Sequence, residues 1–285
     1  MDKRYIINLN CFSLDEFFKK LNGGKMSQPE KKDNPNKIKH LIGVMSGKGG
    51  VGKSTVTYLT AVALKQKDFT VGILDADITG ASIPRIMHLP KYQMKVCGDF
   101  ICPVETEQGL KVMSISFLVD NEEQPVIWRG PLLSKAIQQF WGEVLWGELD
   151  YLVIDMPPGT SDVAITVMQQ FPLSGFIFVT TPQDLVSVVV GRSIQMAERL
   201  KVPALGLVEN MSYFICPHCG QKTNFYGQNE TDNLARRYGT ELIAQIPTAI
   251  EFAQMPSRGL DINNNLVQEV LNKIGQAITS KLEKS

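Results

Sequence analysis

The sequence has little with which to staple or target itself. Five cysteines in 285 residues are too few for a disulfide framework. Neither sign of charge is in excess, since 29 Lys+Arg balance 29 Asp+Glu. No global field therefore draws in nucleic acid or anionic lipid, and any anion site must be built locally. No apolar run approaches the ~18 residues of a membrane span, and the opening MDKRYIINLNCFSLDEFFKK lacks the apolar core and small-residue cleavage site of a signal peptide. The expectation is a cytoplasmic protein that contacts neither membrane nor nucleic acid. In that compartment thiols stay reduced, so Cys11, Cys97, Cys102, Cys216 and Cys219 read as buried residues, metal ligands or redox groups rather than disulfides. What remains, 44% hydrophobic and 20% charged residues, is the composition of a folded globular protein.

The first 37 residues differ from the rest. Ser13-Leu-Asp-Glu16 can open a short helix as a capping box, but Asn22-Gly-Gly-Lys25 ends it, and Ser27 to Lys37 is polar and lysine-rich without an apolar period. Residues 1–37 are expected to be a flexible leader, and 38–285 one domain. From Ile38, apolar strands alternate with helical stretches. This pattern predicts βαβ units: a doubly wound, mainly parallel α/β sheet with helices on both faces. Strands are expected at His40–Met45, Phe69–Leu74, Leu110–Ser114, Tyr151–Ile154, Gly175–Val179, Ala204–Val208 and Leu242–Ile246. Helices are expected after Lys53 and Pro131, and across Leu185–Leu200, Thr231–Tyr238 and Leu266–Leu282. An inserted hairpin at about 94–104 turns at Gly98-Asp99 and carries Cys97 and Cys102 on its arms.

The strongest motif is Gly47-Lys48-Gly49-Gly50-Val51-Gly52-Lys53-Ser54, which follows a strand and opens a helix. It matches G-x-x-x-x-G-K-[ST] in its required context, so backbone N–H groups wrap phosphates, Lys53 pairs with the β- and γ-phosphates, and Ser54, followed by Thr55, brings a hydroxyl to Mg²⁺. Asp75 and Asp77 leave the next strand on one face, one to support the metal or loop and one to orient the attacking water. Tyr151-Leu-Val-Ile154 delivers Asp155 to the same edge as a Walker B carboxylate for Mg²⁺. The turn Met156–Asp162 then leaves the strand with Gly159 as a switch hinge and Asp162 as a helix cap. No Asn-Lys-x-Asp guanine reader follows the later strands, which disfavours GTP. Asn210 either reads adenine through its amide or closes a turn.

Cys216-Pro-His-Cys219-Gly220, in a loop at about 210–226, has the spacing of a metal knuckle. Two thiolates fill half of a tetrahedral or cubane site. The remainder can come from Cys97 and Cys102 as a zinc site, or from a second copy of the knuckle across a twofold axis. A redox dithiol, half a zinc ribbon and an inert pair remain open beside these. The tail residues Leu266, Val270, Leu271, Ile274, Ile278 and Leu282 lie on one helical face, expected to pack on the sheet.

The loop with its early Lys48 resembles the deviant P-loop of the MinD/ParA/nitrogenase-iron-protein class. In that class the early lysine reaches the opposite subunit's nucleotide, which implies a homodimer here, Asp77 as the water-positioning residue, and an adenine-reading Asn210. Ser46 to Ser54, Asp75-Ala-Asp-Ile78, Ser82-Ile-Pro84, Trp128-Arg-Gly-Pro131, Asp155 to Thr160, Thr181-Pro-Gln183 and Val208-Glu-Asn-Met-Ser212 with Cys216-Pro-x-Cys219 together resemble the Mrp/ApbC family of iron–sulfur cluster carriers, in order over about residues 40 to 260. The resemblance implies an ATP-binding homodimer and slow ATPase in which Cys216 and Cys219 of both copies hold a bridging [4Fe–4S] cluster, taken from cluster-assembly factors and passed to apo-proteins. A zinc-stabilised ATPase or a MinD/ParA-like spatial regulator is the alternative. The sequence departs from the family at Ala81, where a proline is usual, and in a leader that holds only Cys11 and has no room for a small amino-terminal domain.

Overall fold

In the structure, a computed structural model, residues 35–283 are described apart from 78–79, 81, 90–94, 98–99, 119–129 and 227–230. Cys11, Ile78, Ala81, Trp128, Arg129, the Gly98-Asp99 turn and the leader up to residue 34 lie outside the described residues.

Strands form where apolar runs are continuous, because a parallel strand covered by helices on both faces is buried on both. They are β1 (Lys37–Ser46), β2 (Val71–Asp75), β6 (Lys111–Ser114), β7 (Glu148–Asp155), β8 (Gly175–Thr180), β9 (Ala204–Glu209) and β12 (Leu242–Gln245). With the two-residue β5 (Val104–Glu105), they make one eight-stranded sheet in the order β12-β9-β8-β1-β7-β2-β6-β5. Every neighbouring pair is parallel except β5–β6. All seven strands expected from the apolar runs are present. β1 starts at Lys37, whose ammonium meets Glu148 at 2.7 Å.

The helices are α1 (Lys53–Lys65), α2 (Ile83–Ile86), α3 (Gly130–Glu143), α4 (Asp162–Gln170), α5 (Asp184–Arg199), α6 (Thr231–Arg237), α7 (Ile250–Ala253), α8 (Met255–Arg258) and α9 (Asn265–Leu282). α4 is capped by Ser161, whose Oγ accepts the Ala164 N–H at 3.3 Å. This corrects the reading of Asp162 as the cap: Asp162 is the first helical residue, where a carboxylate meets the helix dipole instead. α9 opens on Asn264, whose Oδ1 accepts from Leu266 and Val267. It buries Val267, Val270, Leu271, Ile274 and Ile278 and lies over α1, so close that a Cβ on Gly275 would come within 3.3 Å of the Ala63 carbonyl. Among the described residues no helix is long and apolar enough to cross a membrane.

The inserted hairpin forms from β3 (Val96–Cys97) and β4 (Phe100–Ile101), paired antiparallel. It joins Cys97 to Cys102 in a disulfide with Cα atoms 5.5 Å apart. This overturns the expectation of reduced thiols here, and with it the intrachain zinc site built from this pair. The hairpin folds the two arms back until the two sulfurs lie at bonding separation, which spacing in the sequence does not reveal.

Because Ile274 is fully buried against α1, Ile274→Ala is expected to lower the unfolding free energy by about 2–4 kcal/mol in urea titration. Lys273→Ala, which removes one exposed ion pair with Glu269, should stay within about 0.5 kcal/mol of the parent.

Candidate functional site

Parallel register brings the functional residues to one edge. Val44 lies opposite Asp155, and Asp75 opposite Asp155, so β1, β7 and β2 end in a row with the loop after β1 hanging over them. Open α/β sheets bind ligands at this carboxyl edge.

The loop from Gly47 to Gly52 turns through left-handed glycines, Gly50 at φ 82° and Gly52 at φ 83°. Gly52 is the residue before α1, with no side-chain cap on the helix, which leaves the first-turn N–H groups to an anion. Its missing Cβ has a second purpose: a Cβ there would sit 2.0 Å from Asn210 Nδ2. The Asn210 amide instead donates to the Val51 carbonyl at 2.9 Å, and its backbone N–H donates to Thr180 O at 2.8 Å. The structure therefore places Asn210 against the phosphate loop. Around Gly49 and Gly50 there is open space, and Lys48 is exposed beside them while Thr55 is half-buried in the first turn of α1.

Beneath the loop lies a buried polar knot. Lys53 Nζ donates to Asp155 Oδ1 at 2.7 Å and stands 3.2 Å from Asp77 Oδ2. The other Asp155 oxygen accepts from Ser54 Oγ at 2.6 Å. Burial pulls the Lys53 ammonium down, but Asp155 and then Asp77 more than offset it and leave it raised. Asp75, wholly buried, accepts from Ser114 Oγ at 3.0 Å and from the Asp77 N–H at 3.2 Å. Burial first, and the charge of Asp155 second, push its carboxyl well above the usual carboxylate range. The convergent Ser54 hydroxyl and Asp155 carboxylate are the hard oxygen donors that suit Mg²⁺.

Two participants were missed in the sequence. Thr57 Oγ1 donates to Asp155 Oδ1 at 2.8 Å. It lies one helical turn after Lys53, and i,i+4 spacing on the helix opened by the loop was the available signal. Ser114 ends β6 beside Asp75 in register. The turn after Asp155 is tied back by the Gly159 N–H, which donates to Ser46 O at 2.9 Å.

The cysteine pair stands on a separate ribbon, β10 (Phe214–Ile215) against β11 (Lys222–Thr223). Cys216 N–H donates to Gln221 O at 3.0 Å, and the Gly220 N–H to Cys216 O at 2.8 Å. Gly220 supplies the left-handed turn that this closure requires, at φ 70°. Cys216 is half-buried and Cys219 exposed. Hydrogen bonds from the Cys219 and His218 N–H groups, then from the Cys219 thiol, draw the Cys216 thiol below its ordinary value. Lys222 caps the Tyr213 ring, 3.6 Å from its centroid, and Gln183 Nε2 donates to Tyr226 Oη at 3.3 Å, tying the loop after β8 to the ribbon. Phe225 and Tyr226, just after β11, are exposed. Asn210 and Cys216 are six residues apart in sequence, so phosphate loop and knuckle share one connecting segment.

The family profile of the ParA group described as the NUBPL iron-transfer P-loop NTPase matches residues 37–283. An iron–sulfur cluster carrier protein of Methanocaldococcus jannaschii is 42% identical over 255 residues, 88% of each chain. The iron–sulfur cluster transfer protein NUBPL of Dictyostelium discoideum is 40% identical over 79% of this chain and 70% of its own. Among solved structures, a nucleotide-binding protein from Archaeoglobus fulgidus in complex with ADP superposes with a TM-score of 0.70 at 46% identity, covering 78% of this chain and 87% of that one. MinD from Pyrococcus horikoshii complexed with Mg-ADP gives 0.62 at 17% identity over 85% and 96%, a likeness of fold alone. With the profile spanning the whole sheet, the phosphate loop and the cysteine ribbon, the chain belongs to the NUBPL iron-transfer P-loop NTPase family, the iron–sulfur cluster carriers and transfer proteins.

Proposed function

We propose that the protein is an ATP-binding homodimer and slow ATPase that holds a [4Fe–4S] cluster as cargo between Cys216 and Cys219 of two copies, takes it from assembly factors and delivers it to apo iron–sulfur proteins. The observation that carries this reading is a half-site. Two thiols stand on an accessible ribbon tip, and among the described residues no group of three His, Cys, Asp or Glu converges on a metal, so a second chain is the natural source of the other ligands. The Cys97–Cys102 disulfide removes the intrachain alternative. The lowered Cys216 thiol supports the thiolate form that ligates iron. Phe225 and Tyr226, exposed just after β11, suit a surface that another protein covers.

At the sheet edge, the open loop with Lys53, Ser54 and Thr55 takes the triphosphate, with Lys48, exposed at the rim, reaching toward the partner's nucleotide and Asn210 beside the adenine. Ser54 and Asp155 hold Mg²⁺, which when bound neutralises phosphate charge. The Lys53 ammonium is held by Asp155 and Asp77. These carboxylates keep it charged and aimed beneath the loop. Asp77 is the carboxylate proposed to orient the attacking water. Such a site changes the cargo only if ATP binds two dimer states with different affinity.

Anaerobic reconstitution with iron and sulfide tests the cargo. About four irons per two chains are expected, lost in Cys216→Ala/Cys219→Ala; zinc without labile sulfide would instead make the ribbon a zinc stabiliser. Lys53→Ala should abolish ATP binding in calorimetry and leave reconstituted iron intact, while Cys216→Ala does the reverse. The pH profile of Cys216 alkylation should have its midpoint below that of an ordinary thiol, so the thiolate persists to lower pH. In Cys219→Ala, which removes the thiol donor, the midpoint should rise.

A further inference from the structure

Glu209, the last residue of β9, is a buried carboxyl that the nucleotide chemistry leaves unused. Its side chain is fully inaccessible and gathers donors from three segments. The Ser212 hydroxyl, the Thr231 hydroxyl and Gln245 Nε2 all bond it, the last at 3.0 Å. Ser212 belongs to the segment leading to the cysteine ribbon, Thr231 opens α6 and Gln245 ends β12. A carboxyl presents lone pairs on both oxygens and accepts from all three, whereas the amide of a glutamine accepts on one side only and reverses the bond with the hydroxyl on the other.

What this carboxyl anchors is a strap between the two sites. On one side is Asn210, seated where a Gly52 Cβ would otherwise be and bonded to Val51 O. Next comes Met211, a non-glycine residue at φ 53°. Such a backbone is strained for a residue with a Cβ and persists only when its surroundings fix it. Beyond it the Ser212 N–H donates to Ile246 O at 2.9 Å, and the Thr248 N–H donates to Tyr213 O at 2.7 Å. Phe214 then bridges Thr248, and Cys216 follows. Residues 209–216 thus run from the phosphate loop to the first cysteine with a tie at nearly every step.

We propose that Glu209 is a positioning residue that couples the two sites: by tying the strap to α6 and β12 it makes nucleotide occupancy at the phosphate loop change the disposition of the Cys216–Cys219 pair. The proposal deepens the carrier reading, since it rests on the loop and the cysteines working in one cycle. Coupling of this kind is reciprocal and travels through contiguous contacts with two arrangements. Loading the cysteines therefore alters nucleotide affinity by the same factor.

The test uses the metal-free full chain, so that it is independent of the cargo. Iodoacetamide labelling of the peptide carrying Cys216 and Cys219 is followed by mass spectrometry with and without MgADP, for wild type and Glu209→Gln. Nucleotide should change the wild-type labelling rate about fivefold or more. In Glu209→Gln the ratio should fall to near one while MgADP affinity stays within about threefold. A wild-type rate indifferent to MgADP, or a variant that keeps the wild-type ratio, would overturn the proposal. A purely structural role would lower the melting temperature and leave the ratio unchanged. If Glu209→Gln unfolds, Ser212→Ala and Thr231→Val each remove one donor and should give reduced ratios; full retention in both overturns the proposal as well. Iron content on reconstitution reports separately on the carrier reading.

Discussion

The structure turns on one buried cation. Lys53 at the head of α1 lies under the phosphate loop, and its ammonium is held by Asp155 with Asp77 close by. A charge removed from water is costly unless it is paired and hydrogen-bonded. Asp155 meets that condition by taking Lys53, Ser54 and Thr57 together. For those side chains to meet, β1 and β7 must be adjacent, parallel and in one register, and α1 must pack directly on the sheet. The doubly wound topology provides each of these. Asp75 adds a second buried carboxyl to the same place, held by Ser114 from the next strand, so the knot spans α1 and the ends of β7, β2 and β6.

Much of this was legible before any coordinates. The seven long strands could be read because burial on both faces leaves unbroken apolar runs, and the phosphate loop because its glycines and lysine have one physical purpose at that spacing. Asp155 could be placed because its strand ends where the polar residue must emerge. Other features left no local trace. β5 pairs two residues with β6, and two residues have no period to detect. The Cys97–Cys102 bond depends on how a hairpin folds back, a distance that spacing alone leaves open. Ser161 and Asp162 are both competent caps, and only backbone geometry decides between them. Glu209 was visible as part of a motif, but its partners Thr231 and Gln245 are distant in sequence, so its burial and its ties belong to tertiary structure.

The two chemical sites are built in different materials. The nucleotide edge stands on strands whose carboxyl halves are buried, whereas the cysteines sit in the turn between two-residue strands, closed by a left-handed glycine. Such a short ribbon has few ladder hydrogen bonds of its own. It needs bracing, which Lys222 over Tyr213 and Gln183 on Tyr226 supply from neighbouring segments.

The position of α9 has a consequence for how the chain comes into being. The helix lies over α1, with Gly275 against Ala63, and Glu283 just past its end accepts from Tyr151 Oη at 2.7 Å. Gly275 lies 212 residues after Ala63 and Glu283 lies 132 after Tyr151, so during synthesis the strands and the phosphate loop emerge long before the cover for α1. Until then the back of α1 is an exposed apolar stripe, a surface prone to mispairing with other chains. Completion of the carboxyl-terminal helix is thus the event that seals the nucleotide helix into the domain, and a ribosome stalled before it would hold a nearly finished sheet with its most important helix uncovered.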